Sequence, residues 1–234
     1  MNSVAIDSIY ANNNKRMKVE WQFTKRCNFD CSYCSKYLHD NKSEFRSFDH
    51  YVKAVDKLMA SAKRDVWLSF TGGEVCIYPH FKDLLRYCRG VGIEFLSICS
   101  NGSRGPEYYV DLMEHLDNII ISCHFEYKVN VLESILAIRK YIEGKKKTMH
   151  VHVMMLPGHF EQAKQMMTTL KENDVLFGVR RIRPLYMPDG TVARPYQKGG
   201  DLKLTKHGPD YSDDQDYYSA EELELFERDI HEYI

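Results

Sequence analysis

Cys27-Asn28-Phe29-Asp30-Cys31-Ser32-Tyr33-Cys34 follows a predicted strand, Lys18–Thr24, and puts three thiols on one short loop. Three thiolates so placed can hold three irons of a cubane iron–sulfur cluster, leaving the fourth iron without a protein ligand and open to chemistry. The alternative occupant is a structural zinc ion, which needs a fourth ligand, and His39 is the nearest candidate. The spacing fits neither a two-Cys, two-His finger nor a paired Cys-x-x-Cys ribbon, and cysteine spacing alone does not fix the metal.

Working outward, the apolar stretch Val66–Phe70 reads as a buried strand and runs into Thr71-Gly72-Gly73-Glu74. Glycines there permit backbone to approach a ligand closely, and the Glu74 carboxylate can accept hydrogen bonds from an ammonium group. Ser100-Asn101-Gly102 ends the next strand, Ile93–Cys99, as a turn. The fourth strand, Asn118–Phe125, closes in Ser122-Cys123-His124-Phe125-Glu126, where alternation puts Ser122, His124 and Glu126 on one face. An imidazole and a carboxylate there would orient a polar substrate or move a proton; the other reading is a hydrogen-bonded pair that closes the strand end. Leu156-Pro157-Gly158-His159-Phe160-Glu161 follows the fifth strand, His150–Leu156, and a sixth spans Val179–Pro184.

Helical periodicity fills the intervals, at about Phe48–Ala62, His80–Val91, Pro106–His115, Asn130–Glu143 and Phe160–Asn173. Ser47 is the expected N-cap of the first and Pro106 suits the first turn of the third. Strands alternating with helices over short links predict an α/β fold with a parallel sheet and right-handed crossovers.

The Cys27–Cys34 run, with Tyr33 in the aromatic position before the last cysteine, resembles the signature of the radical S-adenosylmethionine enzymes. Gly72-Gly73-Glu74 resembles their motif for the amino group of S-adenosylmethionine, and Asn101-Gly102 their polar turn after the following strand. Leu156–Glu161 partly resembles their adenine-contact motif: Gly158 and Glu161 match, Leu156 is a conservative stand-in, and Met154 replaces the first glycine. The resemblance implies a [4Fe–4S] cluster on Cys27, Cys31 and Cys34 and S-adenosylmethionine chelated to the open iron. It further implies one-electron cleavage to methionine and a 5′-deoxyadenosyl radical that removes a hydrogen atom from substrate. Tyr33, Gly72, Gly73, Glu74, Asn101, Ser122, Gly158 and Glu161 are its candidate cofactor contacts, and an electron donor such as flavodoxin or ferredoxin is its expected partner. The implied fold is a partial (β/α)6 barrel over residues 18–185, with a lead-in at 1–17 and a short C-terminal extension at 186–234 that ends in a helix from about Ser219, where Ser219-Ala220-Glu221-Glu222 reads as a capping box. In such a barrel the loops after the strands gather at one rim, which brings all these motifs to one mouth.

Composition sets the outer limits. A chain of 234 residues, 44% apolar, can bury one full core, and a net charge of −1 gives no global field for nucleic acid or anionic membrane. No apolar stretch reaches membrane-span length and no signal-peptide core opens the chain, so the expected setting is the reducing cytoplasm. Arg180, Arg181 and Arg183 form a local basic cluster, of which one or two are expected at the barrel mouth as ligands for a carboxylate or phosphate. Cys99 and Cys123 are expected to pack within strands as small hydrophobes, and Cys76 to lie near the mouth. Charge favours a small-molecule or peptide substrate, whose identity fold and cofactor do not specify. The competing class is a non-catalytic metal-binding or electron-transfer module in which the triad only stabilises the fold.

Overall fold

The computed structural model describes residues 4–6, 16–34, 39–182, 185–186, 192–193, 204–205, 208–209 and 218–224. Seven strands form one sheet in sequential order: β1 (Val4–Ile6), β2 (Arg16–Thr24), β3 (Asp65–Gly72), β4 (Phe95–Ser100), β5 (Asn118–Cys123), β6 (Thr148–Met155) and β7 (Phe177–Arg181). Strands β2 to β7 are parallel, and β1 adds to the outer edge of β2 in antiparallel register, Val4 opposite Trp21. Helices α1 (Phe48–Ser61), α2 (Phe81–Gly90), α3 (Pro106–Leu112), α4 (Val131–Ile142) and α5 (Phe160–Glu172) occupy the five crossovers. With β1 and β7 at its edges the sheet stays open, and its six parallel strands give the partial (β/α)6 barrel that the alternation predicts.

Period-two patterning decides which face is dry. Val19, Trp21 and Phe23 on β2, Val66, Leu68 and Phe70 on β3, Ile119 and Ile121 on β5, and Val151 and Val153 on β6 all point into one core with the helices. Phe23 sits at its centre, stacked on Tyr51 at 4.2 Å between ring centroids and edge-on to Phe70 and Phe81. Full burial of such a side chain stabilises the fold by about 1.5–3 kcal/mol. The alternate positions line the inner face and are mostly polar: Thr71, Cys99, Ser122, His150, His152 and Arg180. At the N-terminal end of the strands that face is closed by Trp67 stacked on Phe95 at 4.5 Å.

Local signals hold where they are chemical. The Ser47 side chain accepts from the His50 amide (3.3 Å), and Pro106 opens α3. The capping box is reciprocal, with the Glu222 amide donating to Ser219 Oγ (3.2 Å) and the Ser219 amide to Glu222 Oε2 (2.8 Å). The segment 218–224 packs back on the barrel: Tyr218 OH accepts from the Ile182 amide (2.9 Å) and donates to the Met155 carbonyl (3.0 Å), joining the ends of β6 and β7.

Three expectations are adjusted. β4 starts at Phe95 because Gly92, at φ +89°, carries a turn first. β5 stops at Cys123, short of Phe125. The lead-in contributes a strand, since the apolar run Val4-Ala5-Ile6 pairs with β2. Beyond β7, β8 (Leu185–Tyr186) pairs with β9 (Val192–Ala193) and β10 (Leu204–Thr205) with β11 (Gly208–Pro209). Arg183, Pro184 and the turns at 188–190 and 199–200 lie outside the described residues.

Candidate active site

The cysteine loop leaves β2 through Thr24-Lys25-Arg26, and the end of β3 lies directly against that backbone. The Gly73 amide donates to the Thr24 carbonyl (2.7 Å) and the Glu74 amide to the Arg26 carbonyl (2.8 Å). A Cβ on Gly72, which sits at φ +124°, would stand 2.3 Å from the Thr24 carbonyl oxygen, and one on Gly73 would stand 2.2 Å from that of Arg26. Both glycines are therefore required by chain-to-chain packing as well as by the cavity whose wall they form. On the loop's far side, the Cys27 amide donates to the Asp40 carbonyl (2.7 Å), and the Asp40 carboxylate accepts from the amides of Lys42 and Ser43 and from the Ser43 hydroxyl.

Glu74 is fully buried. Its carboxylate accepts from the Cys76 amide (2.9 Å), Ser100 Oγ (2.9 Å) and the Asn101 amide (2.6 Å), tying the end of β3 to the end of β4. Burial pushes its pKa up while those donors pull it down. The Asn101 side chain reaches back to the cysteine loop, donating from Nδ2 to Asn28 Oδ1 (2.9 Å) and towards Cys27 Sγ (3.8 Å). Cys27 Sγ also accepts from the Phe29 amide (3.4 Å).

A second grip comes from the end of β5. The Ser32 amide donates to Glu126 Oε2 (3.0 Å), the Asp30 amide donates to Tyr127 OH, and Phe29 lies flat on Tyr127 at 4.0 Å. His124 Nδ1 is 2.5 Å from Tyr33 OH and 3.5 Å from Cys31 Sγ, with its ring stacked on Tyr33. Burial, with His39 nearby, pushes the His124 imidazole down to about 4, so it is neutral near pH 7.

These elements enclose a cavity of about 160 Å³ lined by Cys27, Cys31 and Cys34, by the backbone at Thr71–Gly73, and by Cys99, Asn101, Ser122 and His124. Loops or ends of four strands thus meet at one mouth. The Radical SAM superfamily model matches residues 21–176, a span that holds every wall of this cavity. The chain belongs to the radical SAM superfamily. It is 30% identical over 111 residues to an S-adenosylmethionine-dependent nucleotide dehydratase of Oncorhynchus mykiss, a match covering 45% of this chain and 30% of that protein. It is 28% identical over 112 residues to the one of Psychrobacter lutiphocae, covering 43% and 37%. The chain spans about a third of the length of these curated relatives. Among solved structures, anSMEcpe with bound AdoMet superposes with a TM-score of 0.56 at 15% identity, over 74% of this chain and 53% of that one. SuiB of Streptococcus suis bound to S-adenosylmethionine gives 0.52 at 18%, over 74% and 42%. These two likenesses are of fold.

The radical SAM cofactors are a [4Fe–4S] cluster and S-adenosylmethionine, and the residues present fit the cluster. Among the described residues no three His, Cys, Asp or Glu converge on a point where a single ion would sit. His39, the fourth ligand a zinc ion would need, is buried, lines the same cavity and lies 3.7 Å from Asp30. Three thiols on the wall of one cavity suit a group with several metal atoms, each bound by one sulfur. Burial pushes the Cys27 thiol up to about 11, and the neighbouring Cys34, then burial, raise Cys31 as well.

Other site expectations land differently. Tyr33, Gly72, Gly73, Asn101, Ser122 and His124 all lie at or against the cavity, whereas Glu74 stands behind its wall. Glu126 does not share the inner face with Ser122 and His124: the chain turns after Cys123, with the Tyr127 amide donating to the His124 carbonyl (3.3 Å), and alternation ends there. Its partner is the cysteine loop, not His124. Gly158, at φ +83°, has open space where a Cβ would point, and the Glu161 side chain is 73% exposed and faces Lys164 at 3.6 Å, so neither reaches the cavity. Met154 and Leu156 of the same segment do pack against the cysteine loop. Cys99 lines the cavity, 3.8 Å from Ser122 Oγ, and is not merely strand packing, while Cys76 and Cys123 are core residues. Sequence reading missed Tyr127 and Asp40, whose only signal was a polar or aromatic side chain in a loop.

Proposed function

We propose that this chain reductively cleaves S-adenosylmethionine at a [4Fe–4S] cluster on Cys27, Cys31 and Cys34, and that the radical formed removes a hydrogen atom from a small molecule. The observation that supports this most is the meeting of the three thiols, the Gly72–Gly73 backbone, Asn101 and Ser122 around one cavity. When bound, the cluster supplies the electron that splits the cofactor into methionine and a 5′-deoxyadenosyl radical. The chain's own residues place and shield. Asn101 steadies the loop at Cys27, Tyr33 and His124 wall the site beside Cys31, and the Phe29–Tyr127 stack keeps water from its rim. The Gly72–Gly73 backbone is assigned to the methionine amine, with Glu74 behind it holding that backbone in place, Ser122 to its carboxylate or the ribose, and the Met154–Leu156 segment to adenine. A nucleotide is the first substrate candidate, because two relatives are named for acting on one. A protein reductant of the flavodoxin or ferredoxin kind would complete the system. Among the described residues no helix is long and apolar enough to cross a membrane.

A purely structural or electron-transfer role for the triad gives Ser122 and Cys99 no reason to face the same cavity, which favours catalysis. Anaerobic reconstitution with iron and sulfide, followed by reductant and S-adenosylmethionine, tests the reading. It should load about four irons per chain and release 5′-deoxyadenosine, and replacing any one of the three cysteines by Ala should abolish both. A stable cluster without 5′-deoxyadenosine would favour the non-catalytic class.

A further inference from the structure

Among the described residues, the inner face of the sheet carries at its open edge a cation that no carboxylate pairs with. Ser122, which lines the cavity, stands opposite His152 in the β5–β6 register, and His152 stands opposite Gly178 on β7. Arg180, two residues further toward the mouth, is opposite Met154, and its Nη2 lies 2.8 Å from His152 Nε2. A guanidinium has only donors, so His152 accepts here and is the neutral imidazole. Burial, Arg180 and His150 together push His152 down to about 4, in agreement. Among the described residues no carboxylate pairs with Arg180. It is thus held in direction by a neutral acceptor, and among the described residues its charge is not neutralised.

Two further features bear on what this edge can take. A Cβ on Gly178 would stand 3.2 Å from His150 Nε2, so glycine makes room for the two imidazoles, 5.2 Å apart, to share this wall. Cys99, at the lip of the cavity, lies within electrostatic reach of both Glu20 on β2 and Arg180 on β7. Two strand spacings, roughly 10 Å, separate β5 from β7, a span suited to a molecule of nucleotide size.

We infer that Arg180, oriented by His152, seats the anionic group of the substrate, a phosphate or carboxylate, at the open edge of the barrel, with the reacting carbon toward Ser122 and Cys99. The planar guanidinium fork matches either oxyanion in bidentate fashion. His152 is a positioning residue that acts through Arg180. The inference rests on the catalytic reading of the adjoining cavity.

Calorimetric titration of the reconstituted protein, with S-adenosylmethionine present, tests it using the ribonucleoside triphosphates, the matching nucleosides, and malonate as a carboxylate probe. A triphosphate or malonate should bind. Arg180→Gln should weaken that binding roughly 10-fold or more, and Arg180→Lys, which keeps charge and loses the fork, by less. His152→Ala should also weaken it, and His152→Gln, whose carbonyl can still accept from Arg180, should recover most of the loss. Malonate binding that needs Arg180, with no triphosphate bound, would keep the seat and remove the nucleotide candidate. Triphosphate binding indifferent to Arg180→Gln would keep the nucleotide and overturn the seat. Failure of every anion to bind, or an equal loss of S-adenosylmethionine affinity in Arg180→Gln, would also overturn it.

Discussion

At the end of β3 the cysteine loop is held by backbone against backbone, whereas at the end of β5 it is held by side chains alone. The first contact admits no Cβ, so only glycine serves, and the requirement is written into the sequence as Gly72-Gly73. The second uses His124, Glu126 and Tyr127, ordinary residues whose partners lie more than 90 positions earlier. A grip made of backbone leaves a local signature, and one made of side chains does not. The two should also differ in how steeply they fail.

Gly73→Ala should do the most damage. Its methyl group would meet the Arg26 carbonyl, a backbone atom with no rotamer to yield, so a loss of about 3 kcal/mol is expected together with lost iron loading. Urea denaturation and iron analysis check it, and a variant with normal stability would break the backbone half of the comparison. Glu74→Gln comes next, because an amide turns a donor toward one of three protein donors. About 1–3 kcal/mol of stability should go, and S-adenosylmethionine affinity should fall only as far as the Gly72–Gly73 backbone it supports is displaced. Calorimetry on the loaded protein separates these two effects. Tyr127→Phe keeps the stack on Phe29 and removes only the acceptor for the Asp30 amide, so about 1 kcal/mol is expected, with the cluster retained. Full loss of the cluster in that variant would show the side-chain grip to be as stringent as the glycines.

The smallest effect belongs to a residue outside both grips. Arg180→Gln should raise the His152 pKa from about 4, since removing a nearby cation eases protonation, while burial, the larger cause, keeps it below the ordinary value. A histidine depressed in the folded state favours the neutral form. Its contribution to stability is present above the unfolded pKa near 6.5 and is lost as pH falls toward the folded value. NMR titration of the ring protons reads the change, and a downward shift would contradict the Arg180–His152 contact.

The same contrast explains what could be read in advance. The barrel follows from alternation and periodicity, and the Ser47 cap, Pro106 and the Ser219–Glu222 box follow from chemistry within one turn. The thiols, Gly72-Gly73 and Asn101 were legible because each motif is short and follows a strand. Glu126 was misplaced because period-two reasoning was carried past the point where β5 stops, and no residue nearby announces that stop. Cys99 was read as packing because a thiol suits a core and a cavity wall equally. Gly158 and Glu161 show the limit of a partial motif: the spacing is kept, yet the side chain on the first turn of α5 faces solvent.

One consequence follows from the doubly held loop. Gly73, Glu74 and Asn101 on one side and Glu126 and Tyr127 on the other fix its course through contacts among protein atoms alone. In small zinc domains the metal must also order the chain, so metal affinity and folding are one quantity. Here protein contacts supply much of the loop's order, so less chain entropy should remain to be lost on metal binding. Loss of the cluster should then leave a folded chain that iron and sulfide can refill, rather than a denatured one.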